Sequence, residues 1–196
     1  GGEGYQFELG GSVHDEDNDL ITLLANVKQT GSRGNAPSNN NEVGQLALLQ
    51  IDESTIVQSV GDAGADFTYF YLGDFAGSSA VYRAASIDLL PQNTGFVLLA
   101  TRGSGTFGSS ICMSKVETDF STSTDANWPY FFGYETTNAT FATNDVAGTV
   151  LALTSIETGT SRLQLDGYVF NGTFGLGTNE MMGMVKLNPS ADFTSE

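Results

Sequence analysis

Three short runs decide the fold: Leu20-Ile21-Thr22-Leu23-Leu24-Ala25, Gly95-Phe96-Val97-Leu98-Leu99-Ala100 and Gly167-Tyr168-Val169-Phe170-Asn171-Gly172. They are rich in aliphatic, aromatic and β-branched residues, and their first residues are 75 and 72 positions apart. Each run is followed by a Gly- and Ser-rich loop and then by a second apolar run, at residues 46–52, 111–117 and 182–188. Self-similarity at a nearly constant spacing indicates a repeated unit of β-structure.

The repeated pattern extends beyond these two runs. A strand-like stretch precedes the first run in all three segments, at residues 5–13, 80–90 and 150–165. An aromatic stretch follows the second run in two of them, at residues 67–73 and 128–134. Each unit therefore reads as a series of antiparallel strands separated by polar turns.

We predict a single all-β domain over residues 1–196, built from repeat units at about residues 4–73, 78–135 and 146–196. The first two units would have four strands and the third unit three. Antiparallel units in series are how β-propellers are built, although four to eight of them normally close the ring. An alternative is a three-fold or sandwich-like β domain around one core.

One pattern carries a resemblance to a known family: a Gly-aromatic-aliphatic run, a Gly-rich loop, and Met184-Val185-Lys186-Leu187-Asn188-Pro189. It resembles the blades of secreted and lipid-anchored β-propeller proteins of the Bacteroidetes type. The resemblance implies a propeller-like fold at the cell surface and says nothing about an activity. Because three units are few, the chain would be a piece of a longer ring, close with a second copy, or pack around one core.

The charge balance excludes several classes of partner. The chain has 23 acidic and 7 basic residues and a formal charge of −16, so it repels phosphate backbones and acidic lipids. We therefore predict no nucleic-acid partner, and the sequence has no apolar stretch long enough to span a membrane. The chain starts at Gly1 without a signal peptide, and we expect a processed protein whose lipid-anchor cysteine lies upstream.

The acidic segment from His14 to Asp19 is the sharpest local motif. Asp15, Asp17 and Asp19 have the spacing by which carboxylates gather around Ca²⁺, which makes calcium the one candidate cofactor. Leu20 stands where a calcium loop needs Gly. The alternative is a hairpin turn whose Asp and Asn side chains bond to nearby backbone.

Aromatic and basic residues suggest a ligand site. Trp128 and Tyr130 lie in the aromatic stretch, and exposed rings of this kind stack on sugars; the alternative is ordinary strand packing. Lys28 and Arg33 lie in the loop after the first run and Arg102 in the equivalent loop of the second unit. Together they would form a positive spot for an anionic or polar ligand at one end of the repeats.

Two sulfur-containing features are predicted to be structural. Cys112, the single cysteine, lies in an apolar run and is expected to be buried. Met182 and Met184 alternate along one strand, so they share a face of the sheet, and we expect them to fill core.

The function that these patterns favour is a non-catalytic extracellular or cell-surface binding protein. A more specific form is an accessory surface lipoprotein of a bacterial outer-membrane complex, with a protein or a glycan as partner and assembly with other subunits. One alternative is a glycan-acting hydrolase or lyase that uses a carboxylate pair, although no sequence argument prefers any pair. Another is a structural subunit that assembles through open sheet edges.

Overall fold

The structure is a computed structural model, and it describes residues 4–30, 45–53, 67–71, 81–104, 108–121, 128–132, 143–176 and 179–188. The elements in these ranges are strands, joined in one place by a 3-10 turn at Pro91–Asn93. The strands are β1 (Gly4–Asp15), β2 (Leu20–Thr30), β3 (Gln45–Asp52), β4 (Phe67–Tyr71), β5 (Val81–Leu89), β6 (Gly95–Ser104), β7 (Gly108–Glu117), β8 (Tyr130–Phe132), β9 (Thr143–Asn144), β10 (Val146–Ile156), β11 (Leu163–Leu176) and β12 (Asn179–Leu187).

The strands pair as three antiparallel meanders. The first meander is β1-β2-β3-β4, the second is β5-β6-β7-β8 and the third is β10-β11-β12. The short strand β9 pairs with both β7 and β11, which joins the second and third meanders into one sheet. The prediction of an all-β fold with antiparallel sheets is confirmed. In the described part of the chain the strands do not close into a propeller, and the blade repeat stays a prediction.

Each meander has an irregularity in the pairing of its first two strands. The ladder shifts after the pairs Leu9–Ala25 in β1-β2, Ala84–Ala100 in β5-β6 and Ala147–Gly172 in β10-β11. Ala25, Ala100 and Gly172 are the last residues of the three runs quoted above. Since a bulge bends its strand and redirects its backbone groups, the first strand of each meander is bent at a matching place.

Glycine is required where the second strand begins in two of the meanders. Gly95 and Gly167 have φ angles of +138° and +149°, a region that L-residues with a side chain rarely adopt. A Cβ at Gly95 would lie 2.2 Å from the carbonyl oxygen of Val116, and one at Gly167 would lie 2.2 Å from that of Leu187. These two glycines allow the hairpin to approach the third strand of the meander closely.

The second meander lies between two hydrophobic layers, and the side chains of β6 alternate between them. Phe96, Leu98 and Ala100 belong to the layer shared with the first meander. Val97 and Leu99 belong to the layer shared with the third meander. A strand that is buried on both faces reads as a continuous apolar run instead of an alternating one, which is the pattern of residues 95–100.

The neighbouring strand β7 divides its side chains in the same way. Cys112 and Val116 point into the first layer, whereas Ile111 and Met113 point into the second. The prediction that Cys112 is buried is confirmed. Burial raises the pKa of its thiol to about 12 despite the nearby Arg102 guanidinium, so the thiolate that cysteine chemistry needs is not formed at neutral pH.

Candidate functional site

The acidic segment forms the hairpin turn between β1 and β2. The Asp15 carboxylate accepts hydrogen bonds from the backbone N–H groups of Asp17 and Asn18 at 3.1 and 3.3 Å, and from the Asn18 side chain at 2.8 Å. Asp19 has a φ of +54° and its carbonyl accepts the N–H of Glu53 at 2.9 Å. This is the Asp-directed turn that was the alternative to a calcium loop.

The structure does not bring the three carboxylates of this segment together as a metal site. Asp15 is buried, whereas Asp17 and Asp19 are exposed. Within the described residues no three His, Cys, Asp or Glu side chains form a group that could hold a metal ion. His14 instead contacts Glu53, with 3.2 Å between Nε2 and Oε2.

The three hairpins that join the first two strands of each meander are bonded to one another. Asn93 donates its side-chain amide to Asp15 at 3.2 Å, which links the second hairpin to the first. Gln92 donates to the carbonyl of Leu163 at 2.7 Å and accepts from the Arg162 guanidinium at 2.5 Å, which links it to the third. These hydrogen bonds between polar hairpin residues fix the three meanders relative to one another at this end.

The aromatic stretch packs between the second and third meanders. Trp128 meets Tyr168 edge to face, with ring centroids 5.7 Å apart, and Phe132 lies 4.5 Å from Phe170. Tyr130 is half-buried beside Phe132, at 4.4 Å. Both Trp128 and Phe132 contact the second hydrophobic layer. Strand packing, the alternative to a sugar platform, therefore accounts for the contacts of Trp128, and glycan binding at Trp128 and Tyr130 stays a prediction.

The predicted basic spot is only partly within the described residues. The Arg102 guanidinium lies over the Phe131 ring, 4.9 Å from its centroid, a cation–π contact that holds it against the sheet. Lys28 lies in β2, where it pairs with Gln6, and Arg33 is outside the described residues. The ligand site at Lys28, Arg33 and Arg102 therefore stays a prediction.

One buried carboxylate lies where the second and third meanders are joined. Asp145 accepts the backbone N–H of Gly175 at 2.8 Å, and its carbonyl accepts the Ser109 hydroxyl at 2.7 Å. Burial raises the pKa of Asp145, and the Gly175 hydrogen bond opposes this only in part. Asp145 is therefore a structural link whose charge costs stability.

The largest departure from the sequence prediction is on β12. Met182 is 90% exposed and Met184 is 74% exposed, so the expectation that they fill core is wrong. The register explains this result: Met184 pairs with Asn171 and Met182 with Thr173, and these residues alternate with Phe170 and Gly172, which are buried. The two methionines therefore lie on the face of the third meander that points away from the second meander.

Other apolar residues lie on the same face. Val169 pairs with Leu151 on one side and with Lys186 on the other, and Thr173 pairs with Val146. Leu151 is 53% exposed and Val146 is also exposed. We call this surface the outer face, and it consists of Val146, Leu151, Val169, Asn171, Thr173, Met182, Met184 and Lys186.

The sequence contained a signal for the outer face that the prediction did not use. The first run of the third segment ends in Asn171 and Gly172, where the second segment has Leu99 and Ala100. A polar residue at the place of a buried Leu indicates that this side of the strand is less covered. Apolar residues around it then form an exposed patch.

The chain was compared with protein-family models, curated proteins and solved structures, and none of them matches it. Among the described residues, no helix has the length and apolar character that a membrane crossing requires.

Proposed function

We propose that this protein is a non-catalytic interaction protein that binds a protein partner through the outer face. The observation that carries this proposal is the exposure of Met182, Met184 and Leu151 on one face of the third meander. Methionine is enriched at protein interfaces because its flexible thioether adapts to a partner's surface. An apolar sheet face left in water favours association.

The proposal includes a propeller-like arrangement and a place at the cell surface. Two features support the arrangement: the irregularities at matching places in the first strands and the packing of successive meanders face to face. The resemblance to blades of secreted and lipid-anchored proteins supports an extracellular or cell-surface setting, including the role of an accessory lipoprotein. The charge of −16 is compatible with a protein that acts among other surface proteins, because it repels the phosphates of nucleic acids.

Oxidation of the four methionines tests the proposal with internal controls. Peroxide converts exposed methionine to its sulfoxide. Met182 and Met184 lie on the outer face, Met181 is 72% exposed but pairs with Phe174 on the opposite face, and Met113 is fully buried. The purified chain at low concentration should therefore be oxidised at the three β12 methionines and spared at Met113.

The same oxidation is then repeated with the chain at equal concentration in the envelope fraction of its source cells. We expect Met182 and Met184 to be oxidised at least about tenfold more slowly there, with Met181 unchanged, because a bound partner excludes peroxide from the outer face only. Equal oxidation of Met181, Met182 and Met184 in both settings would overturn the proposal.

A further inference from the structure

The pairing registers define matching positions in the third strands of the meanders, β3, β7 and β12. The irregularity of each first strand lies beside the last residue of one of the three runs, and that residue pairs on its other side with the third strand. Its partners on the third strands are Ala47, Cys112 and Gly183. The residues that follow these partners are therefore matching positions as well, namely Leu48, Met113 and Met184.

A fourth strand pairs with the third strand in the first two meanders, as β4 with β3 and as β8 with β7. Both fourth strands have aromatic residues opposite the matching positions. Tyr71 and Phe70 pair with Ala47 and Leu48, and Phe131 and Tyr130 pair with Cys112 and Met113. The chain therefore uses the same kind of strand, with two consecutive aromatic residues in the same register, to complete both meanders.

Strand β12 has an open edge in the part of the chain that the structure describes, where it pairs with β11 alone. Its side chains are open on both faces, since Met181 is 72% exposed and Met184 is 74% exposed. Leu48 and Met113, at the positions that match Met184, are fully buried. The edge of a sheet presents unpaired N–H and C=O groups, which form a template for pairing with a further strand.

The two matching positions on β12 favour aromatic partners. Gly183 lies beside the Phe174 ring, because a Cβ at Gly183 would be 2.8 Å from two atoms of that ring. An aromatic residue opposite Gly183 would therefore contact the Phe174 ring on the face that points to the second meander. Met184 lies on the outer face, where its sulfur makes a favourable contact with a ring directly opposite.

We propose that the edge of β12 binds an extended strand of the protein partner, antiparallel to β12, with two consecutive aromatic residues opposite Gly183 and Met184. This inference rests on the proposed function, since it states how the partner reaches the outer face. The ring opposite Met184 lies on the outer face and extends its apolar surface. In this mode of recognition the main-chain hydrogen bonds supply affinity and the alternate side chains supply specificity.

Charge defines the partner strand further. The chain has a formal charge of −16, so it attracts a strand that is flanked by Lys or Arg and repels one that is flanked by acids. The partner is a different protein, because two copies of this chain repel each other and because the aromatic strands β4 and β8 are already paired with β3 and β7. Salt screens the attraction, so binding of a basic strand should weaken as ionic strength rises.

A synthetic peptide tests strand addition on the purified chain. The peptide has the sequence of residues 67–73, which includes β4, with a pair of lysines added at each end. We expect saturable binding of the dye-labelled peptide in fluorescence anisotropy. In hydrogen exchange followed by NMR, the β12 amides that do not bond to β11 should exchange at least about tenfold more slowly when the peptide is bound. Absence of binding up to about 1 mM peptide overturns the inference.

Two N-methylated forms of the peptide test the backbone pairing. The amides of an extended strand point alternately to its two edges, so one alternate set faces β12 and the other set faces water. The form that is methylated on the first set should lose at least about tenfold in affinity, because it cannot donate hydrogen bonds to β12. The form that is methylated on the second set is the matched control and should bind like the unmodified peptide. Equal affinity of the two forms overturns the inference.

Two variants of the chain distinguish the edge of β12 from the rest of the outer face. Met184→Glu places a charge beside the aromatic residue of the bound strand and should weaken peptide binding at least about tenfold. Leu151→Glu places the same charge on β10, which β11 separates from β12, and should change the affinity by about twofold or less. Circular dichroism of both variants checks that the β-fold is kept. Equal losses of affinity would mean that the peptide lies flat on the outer face, and they overturn strand addition.

The outcomes separate this inference from the proposed function. Peptide binding that Met184→Glu leaves unchanged would mean that the peptide replaces β4 on β3, and it overturns the inference. Absence of peptide binding, with Met182 and Met184 still protected in the envelope fraction, overturns strand addition and supports a partner that lies on the outer face. Peptide binding at β12, with equal oxidation of the β12 methionines in both settings, supports the edge as a strand-binding site and overturns the proposed function.

Discussion

The second and third meanders have the same strand order, yet they differ in how much of their surface is covered. In the second meander, side chains on both faces of β6 and β7 are buried in hydrophobic layers. In the third meander, Tyr168 and Phe170 are buried on one face and the methionines of β12 are exposed on the other. The comparison teaches that buried apolar side chains are concentrated in the second meander, whereas exposed apolar side chains are concentrated on the outer face of the third.

The largest effect should come from shortening a side chain of the middle sheet. Leu98→Ala removes a fully buried side chain from the layer shared with the first meander, and we expect the free energy of unfolding to fall by about 2–5 kcal/mol. Leu151→Ala, on the outer face, is the matched control and should change it by less than about 0.5 kcal/mol. Urea denaturation measures both. Equal losses of unfolding free energy in the two variants would contradict the conclusion that the second meander is covered on both faces and the third on one.

The next effect concerns the link between the first and second meanders. Asn26 donates to the carbonyl of Tyr82 at 2.6 Å and accepts from the N–H of Ala84. Asn26→Ala leaves both backbone groups without this partner, which should cost about 1–3 kcal/mol. Thr173 follows Gly172 on β11 as Asn26 follows Ala25 on β2, each next to the pairing irregularity of its meander. Thr173→Val, on the outer face, should change the stability of the monomer by less than about 0.5 kcal/mol. A comparable loss in both variants would show that the outer face is already covered within the monomer.

A smaller effect, with a defined pH dependence, is expected at Asp145. Burial raises its pKa in the folded protein, so the folded state binds the proton more tightly than the unfolded state. The free energy of unfolding that comes from this group is therefore largest at low pH and declines as pH rises through the raised pKa. Asp145→Asn keeps an oxygen for the Gly175 N–H and removes the charge, so it should stabilise the protein at pH 7.

The measurement for Asp145 is the difference in free energy of unfolding between Asp145→Asn and the unmodified chain across the pH range. This difference should be positive at pH 7 and shrink toward acid, where Asp145 is protonated in both states. The Asp119 pKa is lowered by its hydrogen bonds with Ser121, so its contribution has the opposite pH dependence. It is present in both proteins and cancels in the comparison. A difference that grows toward acid would contradict the assignment.

The smallest effect is a chemical one that leaves stability unchanged. Because Cys112 is buried in the middle sheet with a pKa of about 12, a thiol reagent at pH 8 should react only as fast as the protein unfolds. In denaturant the same reagent should label one thiol per chain. Rapid labelling of the native protein would show that the middle sheet opens locally around Cys112 without global unfolding.

Much of the fold could be predicted because the decisive signals are local. The runs at residues 20–25, 95–100 and 167–172 became β2, β6 and part of β11, and the turn at Asp15 formed from side chains within three residues of it. Alternation along β12 correctly predicted that Met182 and Met184 share a face. These properties depend on strand period and turn chemistry, which act over a few residues.

The candidate site was harder to predict because it depends on which surfaces meet. Trp128 and Tyr130 suggested a sugar platform, yet Trp128 lies against Tyr168 of the third meander, a contact that no local pattern shows. Met113 and Met184 occupy matching positions in similar apolar runs, and one is fully buried while the other is 74% exposed. The sequence by itself determined the strands, their order in each meander and the two faces of each strand. Only the tertiary structure decided which faces are covered, because burial requires a second sheet, and the sequence indicated its absence only through the polar Asn171 at the place of Leu99.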